Sequence, residues 1–207
     1  MKHIKALIII LLVTFSFVVN AQTDEKTVAV NVSSEKMKSI KTFFEDFKTE
    51  TMSFQFDSIL DKTYPEIFSI SPKEQMKSQL EKATKNSAYY TVFYDLKFTE
   101  IPKAFEFKEI KYYQIKYFSH YSFNFVKSET DKDTDFENYV KFMAEVLPKK
   151  FPDMKSYREK NNIHFEGEKQ LLLIENEKYN GLKLLELNKD LLYFYQMVLP
   201  KEITKEF

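Results

Sequence analysis

Four titratable side chains could act as a general base if the fold enclosed them in an apolar cavity: Asp57, Asp61, Tyr64 and His120. A base needs its pKa moved toward neutrality, and a cavity of that kind can do this. However, Asp57 and Asp61 lie four positions apart among polar neighbours, which is typical of a solvated helix face, and His120 falls on the polar side of a predicted strand. We therefore predict no catalytic residue, and general-base chemistry stays as the alternative.

Metal binding has little support from the residues available. The only histidines beyond the first ten positions are His120 and His164, and the chain has no cysteine, so a zinc site would need carboxylates that no motif supplies. The run from Asp131 to Asp135 begins like a calcium loop, but Phe136 and Phe142 stand where such a loop needs glycine and glutamate. We expect no metal and no cofactor.

Composition excludes further classes of function. Only Gly167 and Gly181 are glycine, whereas a dinucleotide-binding turn or a P-loop needs several glycines where backbone approaches phosphate. The 31 basic and 31 acidic residues balance, so the sequence predicts neither a nucleic-acid surface nor a polybasic membrane patch.

Residues 1–21 have the three parts of a secretory signal peptide. Lys2 and Lys5 supply a positive start, residues 6–19 are almost entirely apolar, and Ala21 is a small residue at a cleavage point. The apolar core of about fourteen residues is shorter than the roughly twenty needed to span a bilayer. We expect cleavage after Ala21 and a periplasmic or secreted protein.

The absence of cysteine restricts the exported chain further. It can form no disulfide, so its stability must come from its core, and it lacks the thiol that a lipoprotein anchor requires. Removal of residues 1–21 would leave 29 basic and 31 acidic residues, a formal charge of −2. We expect no membrane anchor after cleavage.

The elements that would position a site begin after a flexible lead-in at residues 22–33. Apolar residues recur at helical spacing in residues 34–48 and again in residues 56–64. Ser71-Pro72-Lys73-Glu74 predicts the start of a third helix, with Ser71 and Glu74 forming a capping box.

A sheet is predicted next, because residues 92–98 and 113–125 alternate between apolar and polar types, with a break near Pro102. One face of this sheet is apolar and the other is wetter, which is typical of antiparallel sheets.

A helical insertion is predicted at about residues 129–162. It would contain a helix that begins with a Thr134–Glu137 capping box and a short helix over residues 153–161.

Strand character returns at residues 163–165 and 171–174, Asn180-Gly181 predicts a tight turn, and Pro200 opens the last helix. Runs of helix followed by runs of strand indicate an α+β fold, which we assign to one domain at residues 34–207.

The chain resembles exported bacterial proteins of the NTF2-like, or cystatin-like, superfamily. The likeness rests on Ile40 to Phe44, Phe56 to Phe68, the Ser71-Pro72 helix start and the stretch from Tyr113 to Phe125. It implies a cone in which N-terminal helices pack on a curved, mainly antiparallel sheet, with a C-terminal helix. The helical insertion departs from the compact family pattern.

This resemblance implies two functions. Some members are isomerases, dehydratases or hydrolases with an Asp, His or Tyr inside the cone, and here such an enzyme would use Asp57, Asp61 or Tyr64. Because no catalytic grouping is evident, we expect instead a non-enzymatic domain that holds a small apolar ligand or an envelope partner on its concave aromatic face. It could also form an oligomer.

The aromatic residues expected to line that face are Phe56, Tyr64, Phe68, Tyr94, Tyr113 and Tyr117. Tyrosine suits a binding surface because it combines apolar area with a polar tip. Its enrichment is equally explained by sheet packing, since tyrosine is a good strand former.

Expression of the full chain in a bacterium with an intact secretory pathway should give a mature protein that begins at Gln22, as read by N-terminal sequencing and intact mass. The variant Leu12→Arg should block export, because it places a charge in the apolar run. A wild-type protein that keeps residues 1–21 would contradict the prediction.

Overall fold

The structure is a computed structural model and describes residues 26–188 and 191–206. The predicted leader lies outside these ranges, as do the first residues of the lead-in. The helices of the described part are α1 (Ser34–Met52), α2 (Phe56–Lys62), α3 (Lys73–Thr84), α4 (Asp133–Val146), α5 (Leu192–Val198) and α6 (Lys201–Thr204). Its strands are β1 (Val28–Ala29), β2 (Tyr89–Phe107), β3 (Ile110–Phe125), β4 (Lys155–Glu159), β5 (Asn162–Glu175) and β6 (Leu182–Leu187). Short 3₁₀ helices occupy Pro65–Ser69 and Leu147–Lys150.

The strands form one antiparallel sheet that curls into a half-barrel. β3 lies between β2 and β5, and β1 pairs with the far end of β2. β5 pairs with β3 along one edge. Along its other edge, the first half of β5 pairs with β4 and the second half pairs with β6. The predicted α+β class, with N-terminal helices on a curved antiparallel sheet and a helical C-terminus, is confirmed.

The curl has a local cause in β2, whose register against β3 shifts at three places. Extra residues on one strand bend it and increase its twist. Pro102 lies within the last shift, between Glu100 and Lys103. Proline has no amide hydrogen to donate, and at this irregular position it is not part of a regular residue pair between β2 and β3. The predicted strand break near Pro102 is therefore wrong, and β2 continues to a two-residue turn at Lys108 and Glu109, both with positive φ.

α1 covers one half of one sheet face. It begins with the Ser33 hydroxyl accepting a hydrogen bond from the Lys36 amide, and it buries Ile40, Phe44 and Phe47, which are among the residues whose spacing predicts this helix. These side chains pack against a sheet surface made by Leu96, Tyr113, Ile115, Tyr117, Leu171, Leu173 and Leu184.

α4 covers the other half of the same face. Its buried residues Phe136 and Val140 pack on Tyr121, Phe125 and Phe165. The helix of the insertion therefore packs on the same sheet face as α1.

The predicted capping boxes do not form. α4 begins after Lys132 and α3 begins after Pro72, and neither helix has a side-chain cap. The Glu137 carboxylate instead accepts hydrogen bonds from Arg158 Nη2 at 2.8 and 2.9 Å. A tertiary ion pair thus replaces the local cap.

The short helix predicted over residues 153–161 is wrong, because this segment contains β4. Tyr157 of β4 pairs with His164 of β5 across a two-residue turn at Lys160 and Asn161, and Lys160 has a φ of 52°. Cross-strand pairing has overridden the local helical pattern.

β5 is one continuous strand where two short ones are predicted. At Gly167 a Cβ atom would lie 3.3 Å from both the Asp153 carbonyl oxygen and the Met154 Cα, so the lack of a side chain admits the backbone that leads into β4. The connection to β6 spans residues 176–181 and so is longer than the predicted tight turn, with Gly181 at a φ of 87°.

The opposite sheet face is covered at one end by α5 and α6. Tyr195, Leu199 and Ile203 pack there on Tyr112 and Leu172. Pro200 immediately precedes α6, as predicted. Among the described residues, no helix is long and apolar enough to cross a bilayer.

The packing of α1 on the sheet predicts unequal effects for two phenylalanine truncations. Phe44→Ala should lower the free energy of unfolding by about 3–5 kcal/mol, because Phe44 is fully buried. Phe142→Ala on α4 should change it by less than about 0.5 kcal/mol, because this ring is 58% exposed. Urea unfolding measures both, and equal losses would contradict the described packing.

Candidate functional site

The six aromatic residues predicted to bind a ligand do not meet in one place. Tyr113 and Tyr117 lie buried beneath α1, Tyr64 belongs to the core cluster on the other face, and Tyr94 is exposed on that other face. The two phenylalanines also separate. Phe68 is half-buried in a 3₁₀ helix, and Phe56 lines an open cleft.

The tyrosines beneath α1 serve the protein's own packing. The Tyr113 hydroxyl donates to Glu175 Oε2 at 2.7 Å, and the Lys36 ammonium pairs with the same carboxylate. The Tyr117 ring packs against Phe44 and Phe47, and burial raises the pKa of its phenol. The side chains of Tyr113 and Tyr117 are therefore engaged in contacts within the protein at positions where a ligand is expected.

The two carboxylates of the enzymatic alternative face solvent. The side chains of Asp57 and Asp61 are 68% and 71% exposed, and they pair with Lys77 and Lys73. The hydrogen bond from Lys73 lowers the pKa of Asp61, which is opposite to the shift a general base requires. Neither carboxylate lies in a closed apolar pocket, so this arrangement does not support base catalysis by them.

An open cleft of about 600 Å³ lies where the end of α3, the α1–α2 connection and the start of β2 meet. Its walls are formed by Phe54, Phe56, Glu81, Thr84, Lys85, Tyr90 and Thr91. Three of these side chains are aromatic, so the cleft presents mainly apolar surface with polar groups among them. Of the six aromatic residues predicted to line a ligand-binding face, Phe56 lies in the wall of this cleft.

Phe54 reaches the cleft through an unusual backbone conformation. It has a φ of 55°, and its amide donates to the Thr51 carbonyl oxygen at 3.2 Å just beyond the end of α1. A side chain other than glycine in this region costs about 1–2 kcal/mol. The ring is held against Phe56 and Phe93, with centroid distances of 6.1 and 5.8 Å. Strain of this kind is concentrated at functional sites.

Thr91 supplies the buried polar group of the cleft. It is 6% exposed, and its hydroxyl has no hydrogen-bond partner among the described residues. An unpaired buried hydroxyl costs about 1–3 kcal/mol. The Thr91 oxygen is covered in the structure, so a hydrogen bond to a ligand in the cleft requires this side chain to turn toward the cleft.

A second cluster, the His–Tyr cluster, consists of Tyr94, His120, Tyr157 and His164, and the sequence did not predict it. Each residue comes from a different strand. His120 Nε2 lies 3.3 Å from His164 Nδ1 and 3.4 Å from the Tyr157 hydroxyl. The Tyr157 ring stacks on the His164 ring at 4.7 Å, and Tyr94 lies on the other side of His164 at 5.4 Å.

His164 is nearly buried in this cluster, with 6% exposure. Burial lowers its pKa, and the neighbouring His120 lowers it further. Its Nε2 has no hydrogen-bond partner among the described residues, but Glu159 Oε2 lies 3.8 Å away. Burial and His120 outweigh the nearby carboxylates, so the lowered pKa favours the neutral imidazole of His164 over the charged one.

Groups of three or more His, Cys, Asp or Glu side chains that could hold a metal ion do not occur within residues 26–188 and 191–206. In the acidic run, the Asp131 carboxylate accepts a hydrogen bond from the Ser128 amide at 2.9 Å. Asp133 pairs with Lys127 at 2.5 Å. These contacts stabilise the loop before α4.

The Glu175 contacts predict a dependence of stability on pH. Burial raises the pKa of Glu175, but hydrogen bonds from Lys36 and Tyr113 outweigh this and hold it below its usual value of 4.5. A lowered folded-state pKa contributes stability above the unfolded pKa, and this contribution is lost as the pH falls through the folded value. Glu175→Gln should therefore destabilise the protein at pH 7 by about 1 kcal/mol or less, and not at about pH 3. Urea unfolding at both values, with the exposed Glu145→Gln as control, checks this, and an equal loss at both would contradict it.

Comparison of the chain with protein-family models, with curated proteins and with solved structures found no significant match.

Proposed function

We propose that this chain is an exported binding protein of the NTF2-like superfamily and that it holds a small apolar molecule in the cleft beside Phe54 and Thr91. The curled sheet and its helices are compatible with an NTF2-like cone. Export follows from the signal-peptide pattern of residues 1–21. A non-enzymatic role is favoured because Asp57 and Asp61 are exposed and ion-paired.

The buried hydroxyl of Thr91 carries this proposal. A protein that bound nothing here would gain stability from valine at this position, because valine has the same shape without an unpaired hydroxyl. Ligand sites typically combine apolar walls with a few convergent polar groups in clefts of about 300–1,000 Å³. The cleft has this size and this chemistry.

The lining residues define the class of ligand. The rings of Phe54, Phe56 and Tyr90 favour a flat or aliphatic apolar body. Once its side chain turns toward the cleft, Thr91 can donate or accept one hydrogen bond, so the ligand should carry a hydroxyl or carbonyl group. Lys85 and Glu81 contribute one charge of each sign, which favours a ligand without a net charge of its own.

An envelope protein remains the second candidate, because α5 exposes apolar side chains. Tyr193 and Met197 are 66% and 52% exposed, and Leu191 and Phe194 are also exposed. A partner could cover this surface. The surface is formed by residues other than those of the cleft, so mutations can separate the two functions.

Binding of 1-naphthol and naphthalene, followed by the fluorescence of each probe, tests the cleft. The probes differ by one hydroxyl, so the wild type should bind 1-naphthol roughly fivefold to tenfold more tightly, as expected for one net hydrogen bond. Thr91→Val should remove this preference and should also raise the unfolding free energy of the empty protein. Phe56→Ala should weaken both probes.

The control variant is Met197→Ser, which changes α5 and should leave the binding of both probes intact. If Thr91→Val keeps the preference for 1-naphthol, or if Phe56→Ala binds both probes like the wild type, the proposal is wrong.

A further inference from the structure

We propose that the outer face of α5 binds the surface of a lipid bilayer and that its exposed side chains enter the boundary between the headgroups and the acyl chains. None of these side chains lines the aromatic cleft, so the proposal does not depend on the ligand proposed there. Such binding is shallow and reversible, and it needs neither a lipid attached to cysteine nor a membrane-spanning helix.

α5 is apolar on both of its faces. Tyr195 and Leu199 pack inward on the core cluster beneath the helix. The exposed residues on the opposite face are Tyr193, Phe194 and Met197, with Leu191 just before the helix. A helix at a protein surface normally turns charged and polar residues to the solvent, and a helix that is apolar all round is normally covered. The outer face of α5 therefore lacks the cover that its composition calls for.

The distribution of charge around α5 suits a bilayer. Residues 191–200 contain no Asp, Glu, Lys or Arg. Lys201 begins α6 directly after this uncharged segment, and Lys205 follows α6; both are exposed, whereas Glu202 between them is half-buried. An uncharged segment can leave water at little cost, and ammonium groups beside it can contact the phosphates of anionic headgroups.

The types of the exposed residues also fit the boundary of a bilayer. Tyr193 is the most exposed large apolar side chain of the described residues. Tyrosine is enriched at membrane–water interfaces, because its ring enters the apolar region while its hydroxyl stays among the headgroups. Phe194 and Met197 carry no hydrogen-bonding group of comparable strength, so they can enter further.

The patch is small for a protein interface. Four side chains of this size, each about half exposed, offer roughly 300–500 Å² of surface. A stable protein complex buries about 800 Å² on each partner, so a second copy or an envelope protein would need about as much surface again beyond the patch. Bilayer binding has no such threshold, because its strength grows with the apolar area buried and with the attraction of cations to anionic lipids. A lipid surface is therefore the partner that this patch fits best.

The absence of tryptophan from the chain makes a direct test possible in residues 22–207, which contain every described element. Tyr193→Trp places a single indole on the patch, and Phe142→Trp places one on the exposed side of α4 as a matched control. With vesicles of phosphatidylethanolamine and phosphatidylglycerol, the emission of Tyr193→Trp should shift to shorter wavelength. It should also be quenched by lipids brominated on their acyl chains, and Phe142→Trp should show neither effect.

Cosedimentation with the same vesicles measures the affinity. Replacing both Tyr193 and Phe194 with serine should weaken binding at least about tenfold, because both apolar side chains are lost. Lys201→Gln should weaken binding to these anionic vesicles about fivefold and leave binding to pure phosphatidylcholine vesicles unchanged. Phe142→Ser should bind like the wild type. All these side chains are exposed, and circular dichroism checks that the variants keep the fold.

Three results would overturn the proposal. The first is that vesicles leave the emission of Tyr193→Trp unchanged, which would leave the patch to an envelope protein. The second is that the double serine variant sediments with vesicles like the wild type. The third is that the emission shifts without vesicles as the protein concentration rises and sedimentation velocity shows a dimer, which would identify a second copy. Loss of 1-naphthol binding in the cleft would change none of these measurements.

Discussion

The register between β3 and β5 is the constraint on which the rest of this structure depends. It runs from Lys111 opposite Glu175 to Asn124 opposite Asn162 through fourteen consecutive pairs without a shift. Because side chains alternate between faces, this one register sends Tyr113 and Tyr121 toward α1 and α4 and sends Tyr112 and His120 to the opposite face. A slip by one residue would exchange the two sets, which would expose the core and bury the polar face.

Both candidate sites follow from how the helices cover this sheet. α1 and α4 cover one sheet face, and the cleft lies beside them, between the end of α1, the end of α3 and the start of β2. On the other face α5 and α6 cover one end, and the His–Tyr cluster occupies the opposite end. Most of the aromatic side chains therefore serve core packing, and a few line the proposed cleft.

Local sequence patterns were sufficient for most of the helices and for the α+β class, but they did not predict which strands pair or which side chains meet across the sheet. The stripe of Ile40, Phe44 and Phe47 predicts α1 correctly, since helical periodicity alone defines a buried face. β4 was not predicted because its residues become a strand only through hydrogen bonding with β5. The predicted Thr134–Glu137 capping box does not form, because the Glu137 carboxylate accepts hydrogen bonds from Arg158 instead. His120 and His164 are 44 positions apart, and nothing local indicates that β3 and β5 pair so as to place them side by side. Phe54 likewise takes a left-handed conformation without any glycine to signal it.

The most direct test of this account is native-state hydrogen exchange followed residue by residue. If the β3–β5 pairing supports the whole fold, the amides around Ile115 and Leu172 should exchange only through global unfolding and should be the slowest in the protein, whereas the amides of β4 and α5 open earlier. If the amides of α1 stay protected after those of β3 and β5 have exchanged, the sheet does not hold the helices in place and the account is wrong.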